Sequence, residues 1–204
     1  MEYSEATQKI IDQARARIAR SLLPLETLTP EQAGSILAQY RLAVEPNFIA
    51  WMMQARQYAQ SERAKAVLEQ NLHDEITQDH PAMLRAFATS CGVIPTRQAY
   101  QKVAEPVLDL WRLFGETNSL QNLVVAMILE NTSPIFIPYL AQIGKKLGCQ
   151  DFTYTHVHGV ADIQHARELY EGALEEMSFV AAPLNTLHYA TDKTLFFLEK
   201  ILTP

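Results

Sequence analysis

Three side chains able to bind metal fall in one short stretch, His158-Gly-Val-Ala-Asp162-Ile-Gln-His165. On a helix turning about 100° per residue they sit at roughly 0°, 40° and −20°. One narrow stripe therefore carries two imidazoles and a carboxylate. That donor set suits zinc, iron or manganese, and a carboxylate and a histidine three apart is how helical bundles present ligands to a pair of irons. The competing reading is a solvated face on which Asp162 supports its neighbours by weak helix-surface pairing.

Two further stretches bear on that choice. Glu130 is the only charged side chain between Glu116 and Lys145, inside Leu-Val-Val-Ala-Met-Ile-Leu-Glu130. An ionised carboxylate facing an interior needs a cation or several donors, or it takes up a proton. Otherwise Glu130 marks the exposed end of a buried helix, just before Asn131-Thr-Ser-Pro134. The segment Asn71-Leu-His73-Asp-Glu75-Ile-Thr-Gln-Asp79-His80-Pro81 is crowded with ligand types. On a helix starting at Ser61, Glu75 lies beside the apolar face of Ala64, Leu68, Leu72 and Ile76, whereas His73 and Asp74 point to the solvent side. His80 is about 140° from Glu75 on an unbroken helix. The two share a site only if the helix ends near Gln78, which Pro81 favours. Asp79 is the fallback ligand.

The elements that must position these residues read as helices. Ile10, Ile11, Ala14, Ile18 and Leu22 recur at helical spacing until Pro24. Thr29-Pro30-Glu31-Gln32 is a helix start with a capping box. Pro46 opens a helix with Phe48, Ile49, Trp51, Met52 and Met53, a stripe that reads as core. Ser61 caps the next, to about Gln78. Short helices follow from Pro81 and Pro95, the second carrying Val103, Val107, Leu108, Leu110, Trp111 and Phe114. The apolar stretch Leu120–Leu140 is interrupted at Asn131–Pro134 and Pro138, and Gly144–Gly148 reads as a helix end or turn. The ligand helix runs to about Met177, and Pro183 begins a last helix. Alternating β-branched runs and Asn-Gly or Asp-Gly turns are missing, so the expectation is an all-α fold. No repeat or Ser/Gly linker divides residues 1–204, which read as a single domain.

Composition excludes some classes. The chain has 204 residues, 48% apolar and 20% charged, with a net charge of −6. That argues against nucleic acid or an anionic membrane as partner, since both need clustered Lys and Arg. No uninterrupted apolar run is long enough to span a bilayer. The start Met-Glu-Tyr-Ser-Glu does not resemble a signal peptide, and Cys91 and Cys149 are isolated, so a cytoplasmic location with reduced thiols is expected.

The pattern Asn71-Leu-x-x-Glu75, His80-Pro-x-Met-Leu-x-x-Phe87, Glu130 and His158-x₃-Asp162-x₂-His165 resembles the heme-oxygenase-like di-iron oxidases and oxygenases. The CADD-like proteins (chlamydial death-domain-associating protein and bacterial relatives, in the TenA/PqqC-like superfamily) belong to that group. The resemblance spans roughly residues 60–180. It implies a heme-oxygenase-like bundle of about seven to eight helices. It implies that Glu75, His80, Glu130, His158, Asp162 and His165 bind two Fe2+ ions, with the carboxylates Glu75, Glu130 and Asp162 taking part in the chemistry and O2 as co-substrate. One iron would take Glu75, His80 and His165 or a similar subset, the other His158, Asp162 and Glu130. Relatives have a longer insert between the first Glu and its His, which leaves His80 the least secure ligand.

The activity so implied is oxidation of a small molecule such as a fatty acid or amino acid, by oxidative decarboxylation, C–C cleavage, desaturation or N-oxygenation. Some CADD-like relatives instead make p-aminobenzoate from their own side chains, a role for which Tyr40, Tyr139, Tyr154 and Lys145 are the available residues. Arg85 or Arg167 could pair a substrate carboxylate. A metal-free thiamin-salvage hydrolase resembling TenA would need a cysteine nucleophile, and Cys91 and Cys149 lack supporting context. Heme oxygenase itself carries its proximal histidine in its first helix, and here the earliest is His73. A non-enzymatic iron-sensing or interaction protein on the same scaffold is the third class. A homodimer is compatible with the family, although no heptad run specifies one. Gly159 weakens the ligand helix locally, so metal is expected to order residues 155–170.

Overall fold

The computed structural model describes residues 2–115 and 118–204. They form α1 (Glu2–Ser21), α2 (Pro30–Val44), α3 (Phe48–Tyr58), α4 (Glu62–Thr77), α5 (His80–Ser90), α6 (Arg97–Gly115), α7 (Ser119–Leu147), α8 (Thr153–Glu176) and α9 (Pro183–Ile201). Single 3-10 turns lie at Leu25–Thr27 and Met177–Phe179. There is no strand among the described residues, and the fold is the expected all-α, heme-oxygenase-like bundle.

The helix starts follow the local chemistry. Thr29 accepts from the Gln32 backbone N–H while Gln32 returns a bond to Thr29 N–H. Ser61 accepts from Ala64 N–H at 3.0 Å, satisfying one of the first-turn donors that the helix leaves open. Between α4 and α5 the chain turns at Gln78 and Asp79, the latter left-handed at φ 51°. Its side chain caps α5 by accepting from Ala82 N–H.

The centre of the bundle is α7, packed against α1, α2, α3, α8 and α9. Contrary to expectation it is one 29-residue helix with Pro134 and Pro138 inside it. Pro134 has no N–H to give the carbonyl four residues back, that of Glu130. The Ser133 hydroxyl donates to this oxygen instead, at 2.9 Å. The next carbonyl, Asn131 O, accepts from Arg15 Nε of α1 at 2.8 Å. With both carbonyls satisfied, helix continues. An uninterrupted α7 is long and apolar enough to cross a membrane, mean hydropathy 1.5, which corrects the expectation of no such run; 83% of that window is buried inside the bundle.

Helices α4 and α8 lie close because Gly172 faces Ala64: a Cβ at Gly172 would sit 3.2 Å from Ala64 Cα. Ile76, assigned above to the apolar face of α4, is 56% exposed; α4 ends one residue later. Leu108, Met53 and Phe196 are exposed as well.

Candidate metal centre

All six expected ligands are buried, and four helices carry them. Glu75 comes from α4, His80 from α5, Glu130 from α7, and His158, Asp162 and His165 from α8. The end of α4 at Thr77 lets His80 fold back, so that its Nδ1 lies 2.7 Å from Glu75 Oε1. Its Nε2 faces Gln78 Oε1 at 3.3 Å. Asp79, the fallback, is exposed and spends its carboxylate on the α5 cap.

Two groupings emerge. Ligand atoms of Glu75, His80 and His158 lie within 4.8 Å of one another, as do those of Glu75, Glu130 and His165. Glu75 belongs to both. His158 thus sides with His80, and His165 with Glu130, a grouping the residue order left open. His158 Nε2 is 4.0 Å from Glu75 Oε1, and His165 Nδ1 is 3.9 Å from Glu130 Oε2. Asp162 lies within the electrostatic reach of both groups, through Glu75, His80 and Glu130.

The electrostatics are those of charge buried without its counter-charge. Burial, then the charges of Asp162 and Glu75, push the Glu130 carboxyl well above its ordinary value. Burial likewise raises Asp162 to about 7. Burial lowers His158 to about 4. For His80 burial acts to lower the pKa, but the hydrogen bond and charge of Glu75 outweigh it and the net direction is up. Three atoms of the six ligands are buried with no hydrogen-bond partner among the described residues: Glu130 Oε2, Asp162 Oδ1 and His165 Nδ1. Buried polar atoms in proteins are normally paired. Three orphans of ligand type at one place fit a cation. Bonds of about 2.0–2.2 Å put donors on one ion about 3–4 Å apart, close to the spacing seen here. Three carboxylates offset cationic charge and three imidazoles are borderline-soft donors, a set that matches iron.

Each imidazole also has an outer partner. His158 Nδ1 lies 2.9 Å from the Tyr154 carbonyl. Donating there fixes the tautomer and leaves Nε2 bare toward Glu75. The Tyr154 ring lies against His158, centroids 4.1 Å apart, and its hydroxyl is 2.8 Å from that of Tyr40. Burial raises both phenols above their ordinary value. Both tyrosines were named above, but nothing in their spacing tied them to the cluster, although Tyr154 is one helical turn before His158.

A narrow cleft opens on the cluster, its free interior about 50 Å³. Phe48, Leu84, Leu129, Phe136 and Leu198 line it with Tyr40 and Tyr154. Trp51 and Met52 are buried in the core, as their stripe suggested. Glu45 lies in the cleft wall and is bonded by Arg41 and Arg85, each at 2.7 Å. Arg167 is exposed and does not line the cleft. Tyr139 is buried and Lys145 exposed, both outside the lining. Cys91 and Cys149 are buried, away from the cleft lining, and burial raises the Cys91 thiol, which disfavours a nucleophilic thiolate.

Fold and site together define a class, an all-helical protein with a buried carboxylate–imidazole centre under an apolar cleft. The profile of the iron-containing redox enzymes matches residues 36–185, close to three quarters of the chain and all six cluster residues. The chain belongs to that family, an oxidoreductase family of heme-oxygenase-like fold. No curated protein matches it.

Proposed function

We propose that this chain is an O2-using non-heme di-iron oxidase or oxygenase acting on a small molecule with an apolar body. The observation that supports it most is the set of three orphaned ligand atoms, Glu130 Oε2, Asp162 Oδ1 and His165 Nδ1, converging with Glu75, His80 and His158. In this reading Glu75, His80 and His158 would hold one Fe2+ ion, and Glu75, Glu130 and His165, with Asp162, the other. Bound there, the irons would supply the electrons that reduce O2 and the oxidising power directed at substrate.

The chain's own work is binding, orientation and exclusion of water. Phe48, Leu84, Phe136 and Leu198 would hold an apolar substrate body beside the cluster and keep the site dry. The Tyr154 carbonyl holds the His158 proton at Nδ1. For His80 Nδ1 to coordinate, it must carry no proton toward Glu75 Oε1. A fatty acid or an amino acid is the substrate class suggested by the family resemblance, with decarboxylation, C–C cleavage, desaturation or N-oxygenation as outcomes.

A second reading, a self-sacrificing p-aminobenzoate synthase of CADD type, is favoured by one feature: Tyr154, hydroxyl-bonded to Tyr40, lies with its ring against His158. Anaerobic Fe(II) titration followed by O2 exposure separates the readings. The di-iron oxidase predicts two irons per chain, O2 uptake and an unchanged intact mass. Loss of mass from Tyr40 or Tyr154 supports the second reading. Iron without O2 uptake supports a sensor or interaction protein. Iron uptake that survives Glu75→Gln and Glu130→Gln together overturns the centre.

A further inference from the structure

We propose that Asp74, a residue outside the six-residue cluster, is a positioning residue that sets the tautomer of His165. The inference rests on reading the cluster as a metal centre. It is carried by the geometry around one imidazole. His165 is 4% exposed. Its Nε2 lies 3.4 Å from Asp74 Oδ2, and its Nδ1 has no partner and points to Glu130 Oε2 at 3.9 Å. A neutral imidazole carries one proton. With that proton on Nε2, donated to Asp74, the bare Nδ1 faces the site and can coordinate. With the proton on Nδ1, the ring cannot serve a metal on that side.

Asp74 is built for this task. It precedes Glu75 on α4, so one helix delivers an inner carboxylate and an outer one side by side. Gln70, one turn earlier, donates to both Asp74 oxygens at 3.1 and 3.3 Å. The close approach of α4 and α8 at Gly172 brings the carboxylate against the ring. His158 has the Tyr154 carbonyl for the same purpose; among the described residues His165 has Asp74. An outer carboxylate on a ligating histidine orients the ring and raises its basicity, and its loss typically lowers metal affinity about 10–100-fold.

The test reads the tautomer and the metal separately. Long-range 15N–1H correlation of metal-free, full-length protein at neutral pH reports which nitrogen of His165 bears the proton. The expected result is Nε2–H in the wild type and a shift toward Nδ1–H in Asp74→Ala. Anaerobic Co(II) titration should show affinity about 10–100-fold weaker for Asp74→Ala, with much of it restored in Asp74→Asn, whose amide oxygen still accepts. Thermal unfolding of the metal-free variants checks that the fold is kept, and Asp74→Asn serves if the alanine variant does not fold. An Nδ1–H tautomer in the wild type, or wild-type Co(II) affinity in Asp74→Ala, overturns the role of Asp74. Wild-type Co(II) affinity in Glu130→Gln overturns the metal centre itself and the inference with it.

Discussion

The two halves of α8 bury charge in opposite ways. The C-terminal half ends in Glu176, which is 0% exposed. Its carboxylate accepts from the backbone N–H groups of Gln60, at 2.9 and 3.1 Å, and Ser61, at 2.8 Å. Those donors belong to the turn that starts α4, so Glu176 ties α8 to α4 and leaves the carboxylate satisfied. The N-terminal half buries His158, Asp162 and His165 while exposing Val160 at 74% and Ile163 at 63%. Polar groups point in and apolar groups point out. Its inward carboxylate, and Glu130 opposite, carry oxygens with no hydrogen-bond partner among the described residues. One buried acid is satisfied by the backbone; the others are not.

Replacement of each acid should therefore act with opposite sign. Glu176→Ala strands the Gln60 and Ser61 N–H groups, the latter buried, and should cost roughly 2–4 kcal/mol in urea unfolding. Glu130→Gln removes a desolvated, mutually repelling acid and should leave metal-free protein as stable or about 1 kcal/mol more stable. Equal losses in the two variants would erase the distinction. Metal sharpens it. Fe(II) at 100 times its Kd should stabilise the wild type by about 2.7 kcal/mol per site, and Glu130→Gln far less. A folded Glu176→Gln should keep the full increment.

Much of this was legible in the residue order, and the exceptions share a cause. The caps at Thr29 and Ser61, the break at Pro81 and the inward stripe His158–Asp162–His165 depend on neighbours within a turn or two, and local pattern reads them. The continuity of α7 was not legible, because Arg15, 116 residues from Asn131, supplies one of the bonds that Pro134 disturbs. Asp74 was assigned to solvent because a wheel drawn on α4 alone contains no α8; the ring that makes it useful arrives from 91 residues away. Glu176 was missed for the same reason, its partners lying 115 and 116 residues back. The pairing of His158 with His80 needed the angle at which α5 leaves α4, which no spacing encodes.

Protons probe the same contrast at smaller amplitude. Asp162, raised to about 7 by burial, keeps its proton in the folded chain at pH values where the unfolded chain has lost it. Its contribution to metal-free stability is thus fully present below about pH 4 and lost as pH rises through about 7. The groups facing it are Glu130 and Ser133 on α7, Glu75 on α4 and His80 on α5. His158, lowered to about 4, works in the opposite sense, its contribution present above about pH 6.5 and lost as pH falls through 4. The wild-type curve alone therefore mixes the two. Subtracting the curve of Asp162→Asn should leave a fall on the order of 1–3 kcal/mol between pH 4 and 7. A flat difference would mean that Asp162 titrates normally and is not buried with its neighbours' charge.

Two glycines give the finest comparison. At Gly172, in the tight half, a Cβ would meet the Ala64 backbone. Ala64 cannot give way without moving α4, so Gly172→Ala should destabilise by about 1–3 kcal/mol. At Gly159, in the half that carries the ligands, a Cβ would meet nothing within 4 Å, and packing does not explain the residue. Gly159→Ala should add about 0.5–1 kcal/mol, the ordinary preference of a helix interior for alanine. It should also raise amide protection across residues 155–170 of metal-free protein, and narrow the further gain in protection that Fe(II) is expected to give there. If the local weakness serves metal entry, Fe(II) uptake by Gly159→Ala should be slower at unchanged stoichiometry. Uptake at the wild-type rate, with protection already equal in metal-free and iron-loaded wild type, would show that the polar half of α8 is as rigid as the half anchored by Glu176.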